Sequence, residues 1–135
     1  MTRFSRPTAG DTLTVVGFLH TAVGLAKYHK TLGRMACEGV IDTVQGDHER
    51  EAALWFLMCG ASLMLTGRLA RWTQLQNGML PASTGLMLLG IGVTGVALLP
   101  RSGFWALLVP AVLAFAARGR KREGRDRWAD RKEHK

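Results

Sequence analysis

His20 is the residue of this sequence best suited to chemistry, because its imidazole stands in the middle of a charge-free segment, Thr12 to Ala26. An imidazole changes protonation near neutral pH and can bind a metal, a proton or a hydrogen-bonding ligand. An ionisable side chain inside an apolar helix is rare and is a candidate functional group by default. The alternative is structural, since a neutral imidazole can also join two helices by a hydrogen bond.

The neighbours of His20 along its helix are small. Gly17, Thr21 and Gly24 share its face if the segment is helical. Small residues let another helix approach closely, so we expect His20 to point between helices. Cys59 and Ser62 of the second apolar segment are at the matching depth and are its predicted partners. As a structural group, His20 would hydrogen-bond Ser62, Thr94 or a water.

A second group of polar residues lies between the first two apolar segments. Residues 28–50 include Cys37, His48 and several acidic side chains, but the spacing matches no known metal site. His48-Glu49 lacks the second histidine of a zinc-protease helix, so we predict no metal site. Cys37 and Cys59 show no redox spacing and are expected to be free thiols. Glu49 and Arg50 could cap the second helix or pair with Arg101.

The same stretch predicts a surface element. Apolar or small residues recur at helical spacing, which indicates a short amphipathic helix in the first outer loop. The residues are Leu32, Met35, Ala36, Gly39 and Val40.

Four segments are apolar on all sides, which distinguishes them from the helices of a soluble bundle, where a polar stripe faces water. They are Thr12 to Ala26, Ala52 to Gly67, Trp72 to Pro100 and Ser102 to Ala117. Three are shorter than the roughly 20 residues that cross a bilayer, but flanking Lys and Arg side chains can reach the headgroups and extend them. The sequence predicts an all-α integral membrane four-helix bundle with spans of about 12–29, 50–69, 80–99 and 102–118. Residues 1–117 form its transmembrane domain.

Local signals fit these boundaries. Asp47 is a predicted N-cap for the second helix, and Asn77-Gly78 is a predicted turn. Pro81 suits the first turn of the third helix, and Pro110 is expected to kink the fourth.

Charge sets the expected orientation. Four spans place both termini on one side, and that side carries thirteen Lys or Arg residues against five on the other. The excess of cytoplasmic positive charge predicts that the N and C termini are both inside. Residues 118–135 form a basic cytoplasmic tail, expected to continue the fourth helix near anionic lipid. A cleavable signal peptide is the competing interpretation of the first segment, and Asp11 and His20 argue against it.

The basic composition does not predict nucleic-acid binding. The sequence isoelectric point is about 10.5, but the cations cluster beside an apolar segment and no aromatic platform accompanies them. The expected partners are membrane lipids, with a homo-oligomer or a larger membrane complex left open.

Several motifs, in order, resemble an uncharacterised family of small bacterial membrane proteins with four predicted spans, known as a domain of unknown function. They are Gly17-x-x-His20-Thr21-x-x-Gly24, Glu49-Arg50-x-Ala52-Ala53-x-Trp55-Phe56, Gly60 and Gly67, and Pro100-x-Ser102-Gly103-Phe104-Trp105, within residues 10–117. The resemblance implies a bacterial inner-membrane location and no known activity. It adds Glu49, Arg50, Ser102 and Trp105 to His20, Cys59 and Ser62 as candidate ligand-binding positions. The layout is also similar to that of DoxX-like proteins, some of which are linked to quinone or thiol redox chemistry.

Three functions are compatible with these features. We predict a non-enzymatic accessory protein or a small bundle that binds lipid or another hydrophobic ligand, with no catalytic residues and no cofactor. The first alternative is a redox subunit in which His20 holds a quinone. A haem would need a second axial ligand, and His20 is the only histidine in the spans. The second alternative is a small proton-coupled transporter with His20 as proton carrier.

Overall fold

The computed structural model describes residues 7–39, 43–44 and 46–133, with the backbone alone at 120–129 and 131–133. This part of the chain is all-helical. Its four helices are α1 (Ala9–Glu38), α2 (His48–Asn77), α3 (Ala82–Leu98) and α4 (Trp105–Glu133). The expected all-α, four-helix architecture is confirmed. Helices α1 and α2 are long and apolar enough to cross a membrane, by length and composition.

The helix ends follow the local signals. The Asp47 side chain accepts hydrogen bonds from the backbone N–H groups of Glu49 and Arg50, at 3.0 and 3.2 Å, and so caps α2. Gly78 ends α2 in the left-handed conformation, with φ 72°, which glycine adopts at little cost. Pro81 immediately precedes the first residue of α3.

Helix α1 is longer than expected. It continues without a break to Glu38 and ends at Gly39, whose φ is 112°. The separate surface helix predicted for Leu32, Met35, Ala36, Gly39 and Val40 is therefore wrong: the first three belong to α1, and Val40 lies outside the described residues. The physical reason is that Gly33 is the weakest helix former between Leu32 and Glu38, and one glycine costs only about 1 kcal/mol.

Small residues at seven-residue intervals bring α1 and α2 together. Each member is buried; the set comprises Gly10, Gly17, Gly24 and Thr31 in α1 and Ala53, Gly60 and Gly67 in α2. The backbones approach so closely that a Cβ added at Gly17 would lie 2.7 Å from the backbone N of Met64. A seven-residue repeat keeps one seam in contact along two helices that wrap in a left-handed sense. The close approach predicted for the Gly17/Thr21/Gly24 face is thus observed.

Helices α3 and α4 pack differently, with large side chains of α4 against bare glycines of α3. A Cβ at Gly92 would lie 2.7 Å from Leu108, and one at Gly85 would lie 3.1 Å from Phe115. In both contacts a large side chain of α4 lies against the backbone of a glycine in α3. This hairpin therefore depends on the fit of those side chains as well as on the close approach of the two helices.

The two hairpins meet through α1 and α4. Helix α1 packs on α2 and on α4, and α4 packs on α1 and α3. Within the described residues, no extensive contact joins α2 to α3 or to α4, so the helices are in contact in the order α2, α1, α4, α3. Leu13 is 1% exposed at the centre of the junction, in a cluster with Leu88, Leu107 and Ala111.

Candidate functional site

The imidazole of His20 lies against the ring of Phe56 in α2. The ring centroids are 3.9 Å apart and the planes differ by 9°, so the two rings are stacked. The ring of Tyr28, two turns later in α1, also contacts the Phe56 ring. Their centroids are 5.8 Å apart and their planes differ by 59°. Lys27 Nζ lies 5.1 Å from the Tyr28 ring, within the range of a cation–π contact. The result is a column of rings on the α1–α2 seam.

The Nε2 atom of His20 is buried and has no hydrogen-bond partner among the described residues. The hydroxyl that shares its face is already engaged, because Thr21 Oγ1 donates to Gly17 O at 3.0 Å. A buried polar atom without a partner costs free energy unless a ligand or water satisfies it. This nitrogen consequently has unused binding capacity.

Cys59 and Ser62 are not hydrogen-bond partners of His20. The Ser62 hydroxyl donates to Met58 O of its own helix at 2.8 Å, and Cys59 is exposed as a free thiol. The antiparallel register explains the difference, because Gly17 faces Met64 and Gly24 faces Phe56 across the seam. His20 lies between these two positions and reaches Phe56, while Cys59 and Ser62 point away from α1 and are exposed.

Glu49 joins the ends of α1 and α2. Its carboxylate accepts a hydrogen bond from Thr31 Oγ1 at 2.5 Å, and the other oxygen pairs with Arg34 at 3.3 Å. Thr31 is 1% exposed and occupies the seven-residue repeat where the other positions of α1 are glycines. Both partners of Glu49 belong to α1, so the contact holds the two helices together.

Arg50 is the centre of a second polar contact at the same end of the α1–α2 hairpin. It pairs with Glu38 at the end of α1, donates to Thr43 O at 3.0 Å and lies 3.0 Å from Asp47. The Arg50 Nε atom forms no well-directed hydrogen bond despite that last distance. The pairing with Arg101 is not observed.

Ser102 and Trp105 hold the turn between α3 and α4. Ser102 Oγ donates to Leu99 O at 2.6 Å, and the Trp105 indole N–H donates to Pro100 O at 3.0 Å. These bonds satisfy carbonyls left free by the end of α3. Both side chains therefore have local partners and do not face His20.

The candidate positions do not converge on one site. Thr31, which marks the level of Glu49, is eleven residues from His20, or about 16 Å along a helix rising 1.5 Å per residue. Within the described residues, no three His, Cys, Asp or Glu side chains form a group that could hold a metal. His20 with Phe56 is the candidate functional site, and the Glu49–Arg50 contacts fix the ends of the hairpin that carries it.

Comparison with known proteins gives one match. The model of a family of unknown function, DUF6463, matches residues 4–121. The chain belongs to this family. No curated protein and no solved structure matches it, and the similarity to DoxX-like proteins is not shown. Membership in DUF6463 confirms the resemblance to an uncharacterised family, whose matched region contains all four helices up to Lys121.

Phe56 is the contact of His20 that the sequence did not predict in this DUF6463 member. Counting helix midpoints placed Cys59 and Ser62 opposite His20. The better signal is the repeat itself: pairing Gly10, Gly17 and Gly24 with Gly67, Gly60 and Ala53 fixes the register and puts Phe56 within reach of His20.

Proposed function

We propose that this DUF6463 protein is a non-enzymatic integral membrane protein with four spans that holds lipid or another hydrophobic molecule. The exposure of its apolar helices is the observation that carries the proposal. Each helix contains an apolar stretch of 18 residues. Only 28% of this stretch in α1 and 17% in α2 is buried within the chain. In water, such uncovered apolar surface drives association, whereas in lipid it needs no other cover.

The second hairpin suits the same environment. Its apolar helical segments are Ala82–Leu98 and, within α4, Trp105–Gly119. They rise about 25 Å and about 22 Å, against a hydrocarbon core of about 30 Å. Arg101 and Arg118 flank these helices, and such side chains can lower their stems into lipid while the charge stays at the headgroups. Slight local thinning of the bilayer would accommodate the remainder.

Charge and aromatic residues support an orientation with both termini in the cytoplasm of a bacterial cell, beneath its inner membrane. The excess of Lys and Arg lies on the side of the termini. Three indole rings lie near the ends of the spans: those of Trp55 and Trp105 near the outer ends and that of Trp72 near the cytoplasmic end. They are 71%, 56% and 62% exposed, respectively. Indole rings prefer the membrane interface.

The two native cysteines provide the test. Both are exposed on the folded chain, so water would reach both thiols in a soluble protein. In a bilayer, Cys59 would lie in hydrocarbon and Cys37 beyond the outer surface. The reactive species is the thiolate, which does not form in hydrocarbon. Single-cysteine variants Cys59→Ala and Cys37→Ala would be treated in membranes with an impermeant maleimide.

We expect the thiol of Cys37 to react from the outer side and that of Cys59 to react only after denaturation. Equal labelling of both thiols under native conditions contradicts membrane insertion. Labelling of Cys37 from the cytoplasmic side only would show that the orientation is opposite to the one proposed.

A second candidate function follows from His20. Its stacked ring and unpartnered Nε2 resemble half of a site for a flat ring with a hydrogen-bonding oxygen, such as a quinone head. The test is an absorption spectrum and a solvent extract of the purified protein, compared with those of His20→Phe. Bound quinone in the wild type and none in the variant supports this function, and none in either removes it.

A further inference from the structure

The outer end of α3 carries an open apolar depression of about 430 Å³, within the range of about 300 to 1,000 Å³ for small-molecule sites. Gly90 lines it and has no neighbouring atom within 4 Å of an added Cβ. Ile91, Leu98 and Phe104 also line it. The depression exists because α3 has no side chain at Gly90 and α4 does not cover that face.

Thr94 gives the depression an available hydroxyl. On α1 and α2, several hydroxyls bond back to their own backbone: Thr14 to Gly10 O at 2.9 Å, for example, and Thr66 to Ser62 O at 2.7 Å. The hydroxyl of Thr94 makes no such bond in the described structure, although it lines the depression. In hydrocarbon, an unbonded hydroxyl favours a ligand with an acceptor oxygen.

Arg101 adds a positive charge in the turn that follows α3. Leu99 and Phe104, on either side of it in this turn, line the depression. Arg101 is exposed and forms no ion pair within the described part of the chain. Thr94 lies four residues before the end of α3 at Leu98, about 6 Å along the helix. A cation in the turn, a hydroxyl in the depression and apolar side chains around it are groups suited to the phosphate, an ester carbonyl and an acyl chain of a phospholipid.

We propose that this depression binds one acidic glycerophospholipid, with its phosphate at Arg101, an ester carbonyl at Thr94 and an acyl chain across Gly90. The inference rests on the proposed membrane location and names a ligand for it. A second copy of the chain is less suited to this face. Two copies with the same orientation in the membrane would place their Arg101 charges at the same level, where they repel.

The test is native mass spectrometry of the full chain in detergent with equal amounts of phosphatidylglycerol and phosphatidylcholine. We expect the wild type to retain one phosphatidylglycerol. Gly90→Leu fills the depression and should abolish retention. Thr94→Val should lower the retained fraction about fivefold, the effect of one hydrogen bond. Arg101→Gln should remove the preference for the acidic lipid, also by about fivefold.

Thr66→Val and Arg68→Gln are matched controls, because they remove the same groups away from the depression and should retain the lipid as the wild type does. An unchanged melting temperature identifies variants that have folded. Retention unaffected by all three depression variants overturns the proposal, as does equal loss in the controls. A lipid-free dimer that Gly90→Leu abolishes also overturns it, since the face would then bind a second copy.

Extraction of cell membranes with alkaline carbonate separates the two proposals. If the wild type is released as a soluble protein, the membrane location itself fails. If it stays in the membrane but the depression variants retain lipid normally, only the lipid site fails.

Discussion

Gly17 and Gly33 lie on the same helix but have opposite surroundings. A Cβ at Gly17 would meet the backbone of Met64 and Gly60 at 2.7 and 3.0 Å, whereas Gly33 has nothing within 4 Å. Gly17→Ala should therefore force the helices apart and lower stability by about 1 to 3 kcal/mol. Gly33→Ala should raise it by about 0.5 to 1 kcal/mol, because alanine restricts the unfolded chain and favours the helix.

Unfolding in detergent, followed by circular dichroism, measures both changes. Equal effects of the two substitutions would contradict the close approach of α1 and α2 at Gly17.

His20→Phe separates the stacking contact from the unpartnered nitrogen. Phenylalanine keeps a ring against Phe56 and removes the buried Nε2. If nothing binds that nitrogen in the purified protein, the variant should be more stable by about 1 kcal/mol, since an unsatisfied polar atom costs about 1 to 3 kcal/mol. Thermal unfolding in detergent measures the change. A less stable variant would mean that a bound molecule satisfies Nε2 in the wild type.

The cap of α2 makes an element-scale prediction about pH. The backbone N–H of Arg50 lowers the pKa of Asp47, helped by the N–H of Glu49 and the nearby Arg50 and Arg34 charges, and opposed by desolvation. A carboxyl group whose pKa falls on folding stabilises the fold above its unfolded value, about 3.9, and loses that effect as the pH falls through the folded value. Asp47→Asn keeps a cap without the charge.

Melting temperatures of the wild type and of Asp47→Asn should therefore differ at pH 6, with the wild type higher, and converge below about pH 4. A gap that stays constant down to pH 3 would show that the Asp47 charge does not stabilise α2.

The opposite end of the α1–α2 hairpin is also fixed by polar contacts. Asp11 pairs with Arg71 of α2, and Gly10 N donates to Gln74 Oε1 at 3.0 Å. Partial burial raises the pKa of Asp11, but hydrogen bonds from Thr8 and the attraction of Arg71 outweigh it, so the pKa lies below its usual value. The α1–α2 hairpin is thus fixed by polar contacts at both ends and by glycine contacts between them.

The ends of a helix can be predicted from the sequence where a single residue type determines them. Asp47 and Gly78 mark the ends of α2 through their own side-chain and backbone preferences. The length of α1 was not readable, because helical spacing at Leu32 and Met35 fits a separate helix as well as a continuation. The partner of His20 also depends on the register of α1 against α2, which the midpoints of the two separate helices do not define.

At the scale of the whole molecule, stability depends on the junction between the hairpins. Leu13→Ala should cost about 2 to 5 kcal/mol, the usual result of emptying a packed site, because Leu13 is 1% exposed beside Leu88 and Leu107. Leu19, 58% exposed on the same helix, is the control, and Leu19→Ala should change stability by less than about 0.5 kcal/mol. Unfolding in detergent measures both. Similar losses would contradict a junction centred on Leu13.

The order of contacts could not be predicted from the apolar segments. Four helices apolar on all sides carry no stripe that says which neighbour each prefers. The glycines of α1 match the small residues of α2, and those of α3 match large side chains of α4, so the hairpins were implicit in residue size. The meeting of α1 with α4 depends on packing around Leu13, for which the sequence offers no separate signal.

That meeting joins α1 to α4. A ribosome makes α1 before α2, α3 and α4, and α1 can pair with α2 at once, but the surface around Leu13 is not fully covered until α4 has been made. Synthesis must therefore reach Ala111 before the two hairpins can close on each other. A chain truncated after α3 would lack Leu107 and Ala111, which help to cover Leu13, so the hairpins can close on each other only once α4 is present.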